Sequence, residues 1–188
     1  MSPKIVIILG TSGSGKGTQA KLVQEKLGLG YVGSGDLLRI RSAVDDFSGR
    51  KLKKVMNEGG FAPSAVIFKL WIDKWEDMKN IPEFSGFIID GSPRKLLEAM
   101  LIDQSLEWYE WRDVKVVFVD VSREEAFSRL SKRMREDDTP EAINSRLDLF
   151  EKEVMPVVKY YEKLNRLIRI KGEQGIESVH KDIMKAIA

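Results

Sequence analysis

Apolar residues fall along this chain in two alternating rhythms. Short, almost unbroken runs at residues 5–9, 30–32, 87–89, 114–119 and 167–170 read as strands, and the longer stretches between them carry apolar residues at helical spacing. A run such as Val116-Val117-Phe118-Val119 shows no polar alternation. Strands of that kind are buried on both faces, which predicts an α/β domain: a parallel sheet with helices on each side, joined by right-handed crossovers.

Two stretches break the alternation. Between Asp36 and Phe84 lies an all-helical excursion containing Gly59-Gly60 and Pro63, which reads as a small inserted lobe with a turn in its middle. Phe68, Trp71, Ile72 and Trp75 follow helical spacing there and are predicted to form the lobe's packing face, and Trp108 and Trp111 are likewise assigned to packing. The second break, residues 132–140, reads Lys-Arg-Met-Arg-Glu-Asp-Asp-Thr-Pro. Its charge density suits a mobile, solvated loop between two helices.

Composition narrows the field. A chain of 188 residues suffices for one compact domain, and it has no fixed-period repeat or low-complexity segment. The absence of cysteine excludes disulfides, thiolate metal sites and a cysteine nucleophile, and fits a reducing compartment. His180 is the single histidine, so no histidine metal cluster exists. A net charge of +2, with acids and bases interspersed, gives no case for a nucleic-acid or membrane partner. The first apolar run is too short for a signal peptide or a membrane span, so a soluble, cytoplasmic protein is expected.

Candidate chemistry begins where that first run ends. Gly10 to Thr18 read Gly-Thr-Ser-Gly-Ser-Gly-Lys-Gly-Thr, and the residues after them have helical spacing. Glycines at 10, 13, 15 and 17 let successive N–H groups turn around an anion, at the positive end of the helix that follows. Lys16 adds a full charge for the β- and γ-phosphates of a nucleotide. The competing reading is a glycine-rich turn; the order strand, loop, lysine, helix favours phosphate binding. Gly17 stands where the commonest version of this loop has a hydroxyl, which here arrives one place later at Thr18 and weakens direct ligation of Mg²⁺.

Asp90 follows the strand at 87–89, so its carboxylate should sit at the sheet edge where such folds bind ligands, able to hold Mg²⁺ directly or through water. A turn or capping aspartate before Gly91 is the alternative. Arg94, and Arg39 in the first turn of a helix opening after Ser34-Gly35-Asp36, are a possible pair for an acceptor phosphate, although each alone reads as a surface arginine. Arg129, Arg133, Arg135 and Arg146 bracket the charged loop. They would either close over a transferring phosphoryl group or form a solvated face with i,i+4 ion pairs.

With those segments in view, the chain resembles the adenylate kinase family of nucleoside monophosphate kinases across nearly its whole length. The resemblance is carried by Gly-Lys-Gly-Thr-Gln in the glycine loop, by Gly33-Ser-Gly-Asp-Leu-Leu-Arg39, by Gly86-Phe-Ile-Ile-Asp-Gly-Ser-Pro-Arg94, and by Arg135-Glu-Asp-Asp with Arg146-Leu. It implies a P-loop three-layer α/β/α domain over 1–188 with a five-stranded parallel sheet. It also implies an NMP-binding lobe at about 33–63, extended by its helix to about 80, and a short lid at about 132–140. The implied reaction is reversible phosphoryl transfer from MgATP to AMP, giving two ADP, by a monomer.

Residue by residue, the resemblance assigns Gly13, Ser14, Gly15, Lys16, Gly17, Thr18, Arg129, Arg133 and Gln174 to ATP. It assigns Ser34, Gly35, Arg39, Ala62, Gly91, Arg94, Glu98, Arg135 and Arg146 to the nucleoside monophosphate. Lys16, Arg94, Arg129, Arg133, Arg135 and Arg146 are then the catalytic set, with Asp36 and Asp90 organising hydrated Mg²⁺.

The chain departs from the family in three ways. Its lid is shorter than the compact lids and has no zinc-binding cysteines; Ser92 replaces the aromatic residue before Pro-Arg; and Glu98 stands where adenylate members have a glutamine that reads adenine. Ionised glutamate only accepts hydrogen bonds, which would suit the N1–H and amino group of guanine. AMP remains the expected acceptor, with GMP, or UMP and CMP, as alternatives. Another small-molecule kinase of this fold and a non-catalytic nucleotide sensor are the remaining readings.

Overall fold

The computed structural model describes residues 2–133 and 138–188. Five strands, β1 (Lys4–Leu9), β2 (Gly30–Gly33), β3 (Gly86–Asp90), β4 (Asp113–Asp120) and β5 (Leu167–Lys171), form one parallel sheet in the order β2-β3-β1-β4-β5. The apolar runs therefore became strands with no boundary moved by more than one residue. Central β1 is buried on both faces from Ile5 onward, which is why its sequence shows no alternation.

Alternate side chains of the same strands feed two cores. Ile5, Ile7, Leu9, Phe87, Ile89, Val116 and Phe118 face a layer made by α4 (Ser64–Lys79), α5 (Leu96–Trp108) and α8 (Met155–Lys163). Val6, Ile8, Ile88, Val117, Val119 and Ile170 face α1 (Lys16–Leu27) and α9 (Ile176–Ile187). The result is the three-layer α/β/α arrangement expected. A satellite cluster of Ala126, Leu130, Ile143 and Leu147 joins α6 (Arg123–Arg133) to α7 (Pro140–Leu149).

The excursion between β2 and β3 is helical, as predicted: α2 (Ser34–Ser42), α3 (Phe47–Asn57) and α4. Two details differ from the sequence reading. Trp71 and Trp75 do not pack a separate lobe; both are fully buried in the main core, where Trp75 meets Phe87 and Trp111 at centroid distances of 5.4 and 6.1 Å. Trp111 joins that cluster, whereas Trp108, on the outer face of α5, is 82% exposed. Spacing alone does not say which of two nearby tryptophans turns inward.

Between α7 and α8 the chain makes a π-helical turn, Phe150–Val154, with Phe150 stacked on Phe118 at 6.2 Å. No helix is long and apolar enough to cross a membrane among the described residues.

Candidate active site

The loop after β1 opens onto α1. Gly15 precedes the helix with no side-chain cap, the Lys16 N–H contacts Ser14 Oγ at 3.4 Å, and no acidic residue occupies the first turn, so the positive end of the helix faces the loop unopposed by a carboxylate. Gly13 has φ +84°, and a Cβ there would stand 2.5 Å from the Ala126 carbonyl oxygen, so α6 packs directly against the loop. Lys16 Nζ donates to the Thr11 carbonyl at 3.1 Å, which folds its side chain back over the loop. The glycine after it also has a reason: a Cβ at Gly17 would come 3.1 Å from Asp90 Oδ2, crowding the carboxylate that β3 presents. β3 neighbours β1, and this brings Asp90 beside the loop.

A cleft of about 520 Å³ runs along the carboxyl ends of the strands. Gly13, Gly15, Lys16, Gly17, Thr18, Gly35, Asp36, Arg39, Asp90, Gly91, Arg94, Arg129, Arg133 and Arg146 all line it. Five other candidates do not. Ser14 is buried beneath the loop, and Ala62 is buried in the core. Ser34 is fully buried, its hydroxyl accepting the Trp71 indole N–H at 2.9 Å. Gln174 is exposed and bonds Lys171 O and Asp182. Arg135 lies outside the described residues, as do 134, 136 and 137 of the charged segment.

Glu98 is the most informative of the five. It sits in the third position of α5, only 2% exposed, with Oε2 accepting the Arg94 backbone N–H at 2.7 Å and Oε1 accepting the Ser64 hydroxyl at 3.1 Å. The first bond reaches back past the N-cap, Lys95, to fix the chain entering α5, and the second ties the start of α4 to it. Burial and spacing that suggest a base-reading side chain are here used to hold two helix starts together.

On the acceptor side, Arg39 lies in the second turn of α2 rather than the first, because the helix begins at Ser34 whose hydroxyl is committed to Trp71. Arg39 pairs with Asp36 at 2.5 Å, both about half exposed. Arg94 Nε donates to Gly91 O at 2.8 Å, and its guanidinium lies over the Phe61 ring at 5.1 Å. Burial lowers its pKa most; Glu98 and Asp90 oppose that shift, while Arg146 and Arg39 add to it. The buried Arg94 guanidinium thus feels the charges of Arg146 and Arg39, a repulsion that an anion beside it would relieve.

On the opposite side, Arg129 Nε pairs with Glu125 at 2.6 Å and reaches Ser14 O and Gly172 O with its other nitrogens. Asp138 is the surprise of the charged segment. Its side chain is 1% exposed, accepting two bonds from Arg133 at 2.8 Å and one from Arg146 at 2.7 Å. Burial pushes its carboxyl up, but the Arg133 and Arg146 bonds outweigh this and hold it below the usual range. Thr139 then caps α7, accepting from Ala142 N at 3.2 Å.

Sequence reasoning missed several cleft residues. Tyr31, in β2, donates its hydroxyl to Asp90 Oδ2 at 2.8 Å, and burial with the neighbouring Asp90 charge raises the phenol's pKa, keeping it a donor. Phe61 and Phe150 supply aromatic wall. A lone tyrosine in a short strand carries no signal, and Phe61, although it directly follows the turn glycines Gly59-Gly60, was not singled out by it. Among the described residues no group of three or more His, Cys, Asp or Glu side chains is arranged to hold a metal.

A family model described as adenylate kinase matches residues 8–166. The adenylate kinase of Chlamydia muridarum is 32% identical, the match covering 99% of this chain and 88% of the relative. That of Prochlorococcus marinus is 33% identical over 97% of this chain and 96% of the relative. UMP-CMP kinase 1 of Oryza sativa is also 33% identical, over 97% of this chain and 73% of the relative.

Proposed function

The chain belongs to the adenylate kinase family, and from that membership we propose that it transfers the γ-phosphoryl group of ATP reversibly to AMP, giving two ADP. The observation that carries this reading is the convergence of Lys16, Arg39, Arg94, Arg133 and Arg146 on one cleft beside the glycine loop.

In this reading the loop amides and the start of α1 hold the ATP phosphates, with Gly13 to Thr18 as the cradle and Arg129 against the donor base. Arg39 and Arg94 grip the AMP phosphate. An oxygen of that phosphate attacks the γ-phosphorus in line, the bond to the β-phosphate oxygen breaks, and no proton need move in the step itself. Lys16, Arg133 and Arg146 offset the charge on the transferring group, with Arg135 joining them. The lobe at about 33–63, with its extension to about 80, and the short lid at about 132–140 close to exclude water, since hydrolysis is the competing reaction.

The residues fit Mg²⁺ carried in by ATP. Asp90 Oδ1 is buried and accepts no hydrogen bond, and an all-oxygen pair of carboxylates, Asp36 and Asp90, suits a hard cation that keeps its waters. When bound, the cation would neutralise phosphate charge. We take the protein to be a cytoplasmic monomer.

Glu98 does not favour GMP in this geometry, because both of its oxygens are engaged by protein donors and it does not line the cleft. The test is a coupled assay with MgATP against AMP, GMP, CMP, UMP and dTMP. AMP should be preferred by at least about tenfold in kcat/KM. A preference for CMP or UMP would move the chain to the specificity named for the Oryza relative, and ATP binding with no turnover of any monophosphate would make it a sensor.

A further inference from the structure

Tyr31 occupies a position between the two carboxylates of the cleft that no sequence motif marks. β2 pairs with β3 so that Tyr31 lies opposite Ile88 and Gly33 opposite Asp90. The Tyr31 hydroxyl reaches forward to Asp90 Oδ2 at 2.8 Å. The same oxygen faces Gly17 on its other side, 3.1 Å from where a Cβ would be. Oδ2 is therefore boxed in, and Oδ1 is the atom left without a hydrogen bond.

The ring has its own requirement. A Cβ at Gly33 would come 2.6 Å from Tyr31 Cε1, 3.2 Å from its Cζ and 2.6 Å from Asp36 Oδ2. The aromatic ring, the missing side chain at 33 and the Asp36 carboxylate share one space, so Tyr31 keeps its place only because residue 33 is glycine. Asp36 is in turn the partner of Arg39. One phenol thus adjoins the carboxylate beside the glycine loop and the carboxylate that opens the acceptor lobe.

We propose that Tyr31 is a positioning residue for phosphoryl transfer: its hydroxyl holds Asp90 Oδ2 so that Oδ1 is presented to the hydration shell of the divalent cation on ATP, and Gly33 is the steric condition for this. The proposal rests on the kinase reading above. Tyr160 makes the same kind of bond to Asp103 outside the cleft, leaving Asp103 Oδ1 likewise buried without a bond, so what sets Tyr31 apart is its place: its carboxylate faces Gly17 of the glycine loop, and its ring is fitted against Gly33 and Asp36.

The test uses the full chain with ATP and Mn²⁺ as a spectroscopic probe. In Tyr31→Phe, paramagnetic resonance titration should show Mn²⁺ bound to the protein–ATP complex about tenfold more weakly, the size typical for losing a group that orients a ligand. ATP binding without metal should stay as in the unmodified chain, while the thermal midpoint falls by several degrees because Asp90 Oδ2 loses its donor. Gly33→Ala on an Asp36→Asn background, compared with Asp36→Asn alone so that crowding of Asp36 is controlled, keeps the hydroxyl but displaces the ring; it should reproduce the loss of Mn²⁺ affinity and serves as the independent arm if Tyr31→Phe folds poorly. With AMP present, Tyr31→Phe should lower kcat and leave the KM for AMP within about twofold. Unchanged Mn²⁺ affinity in either folded variant, or an equal loss of metal-free ATP binding, overturns the proposal. Failure of the kinase reading is seen separately, as absent turnover in the unmodified chain, and leaves the Mn²⁺ titration interpretable.

Discussion

The two ends of the sheet are built on opposite principles. Around the amino ends of β3 and β4, Phe84, Phe87, Trp75, Tyr109 and Trp111 interlock at centroid distances from 4.5 to 6.5 Å, and what charge lies nearby is paired, as Arg166 is with Asp103 at 2.9 Å. At the carboxyl ends, guanidinium groups converge on an open cleft, with Asp36, Glu125 and Asp138 as partners at its edge, and α1 starts there without a side-chain cap. The first end maximises contact; the second concentrates positive charge around an open space. That contrast is what a site preorganised for polyanions requires, since its groups must be aimed before the charge arrives.

The largest expected effect falls on one end alone. Lys16→Met should reduce phosphoryl transfer by at least about a hundredfold, because a charge aimed at the transferring group is lost in a water-poor cleft. Its urea midpoint should move little, since the ammonium is partly exposed and its removal leaves no void in a packed core. Steady-state kinetics and denaturant melts on the same preparation separate the two; substantial transfer with methionine at 16 would remove the lysine's role and blur the contrast between the ends.

The reverse pattern is expected from the aromatic end. Trp75→Ala removes a fully buried indole from contacts with Trp71, Phe87, Tyr109 and Trp111, and large-to-small changes of this kind cost about 3–5 kcal/mol. The Trp75 indole N–H has no hydrogen-bond partner, so the loss is one of packing. Unfolding by urea should show it, while kcat at a temperature where the variant is still folded stays within a few-fold of the unmodified chain, as estimated for a residue remote from the reacting atoms. A hundredfold drop in kcat in the folded variant would mean that the two ends are coupled.

The same contrast explains what the sequence made legible. Strands buried on both faces write themselves as apolar runs, which is why β1 and β4 were readable, and the glycine loop was readable because its backbone geometry restricts residue type. What stayed hidden depends on direction. Trp108 and Trp111 look alike in sequence, yet one is exposed and the other buried. Asp138 sits in a run whose composition suggested solvent, but two arginines draw it to near-complete burial. Tyr31 finds its hydrogen-bond partner, Asp90, far away in the chain, where strand pairing and not sequence spacing brings the two together.

Glu98 gives the smallest effect and the sharpest test of where the site stops. A glutamine at 98 keeps an amide oxygen to accept the Arg94 N–H, and its NH₂ can face the Ser64 hydroxyl, which rotates to become the acceptor. Glu98→Gln should therefore cost no more than about 1 kcal/mol in urea unfolding, the scale of one rearranged hydrogen bond. If the carboxylate acts as a helix clamp and not as a reader of the base, the ratio of AMP to GMP turnover should change by less than about threefold, whereas mispairing a base-contacting group shifts such ratios by orders of magnitude. A large gain in AMP preference would extend the cleft past Arg94 to Glu98, and the boundary between packed interior and charged site would have to be redrawn through α5.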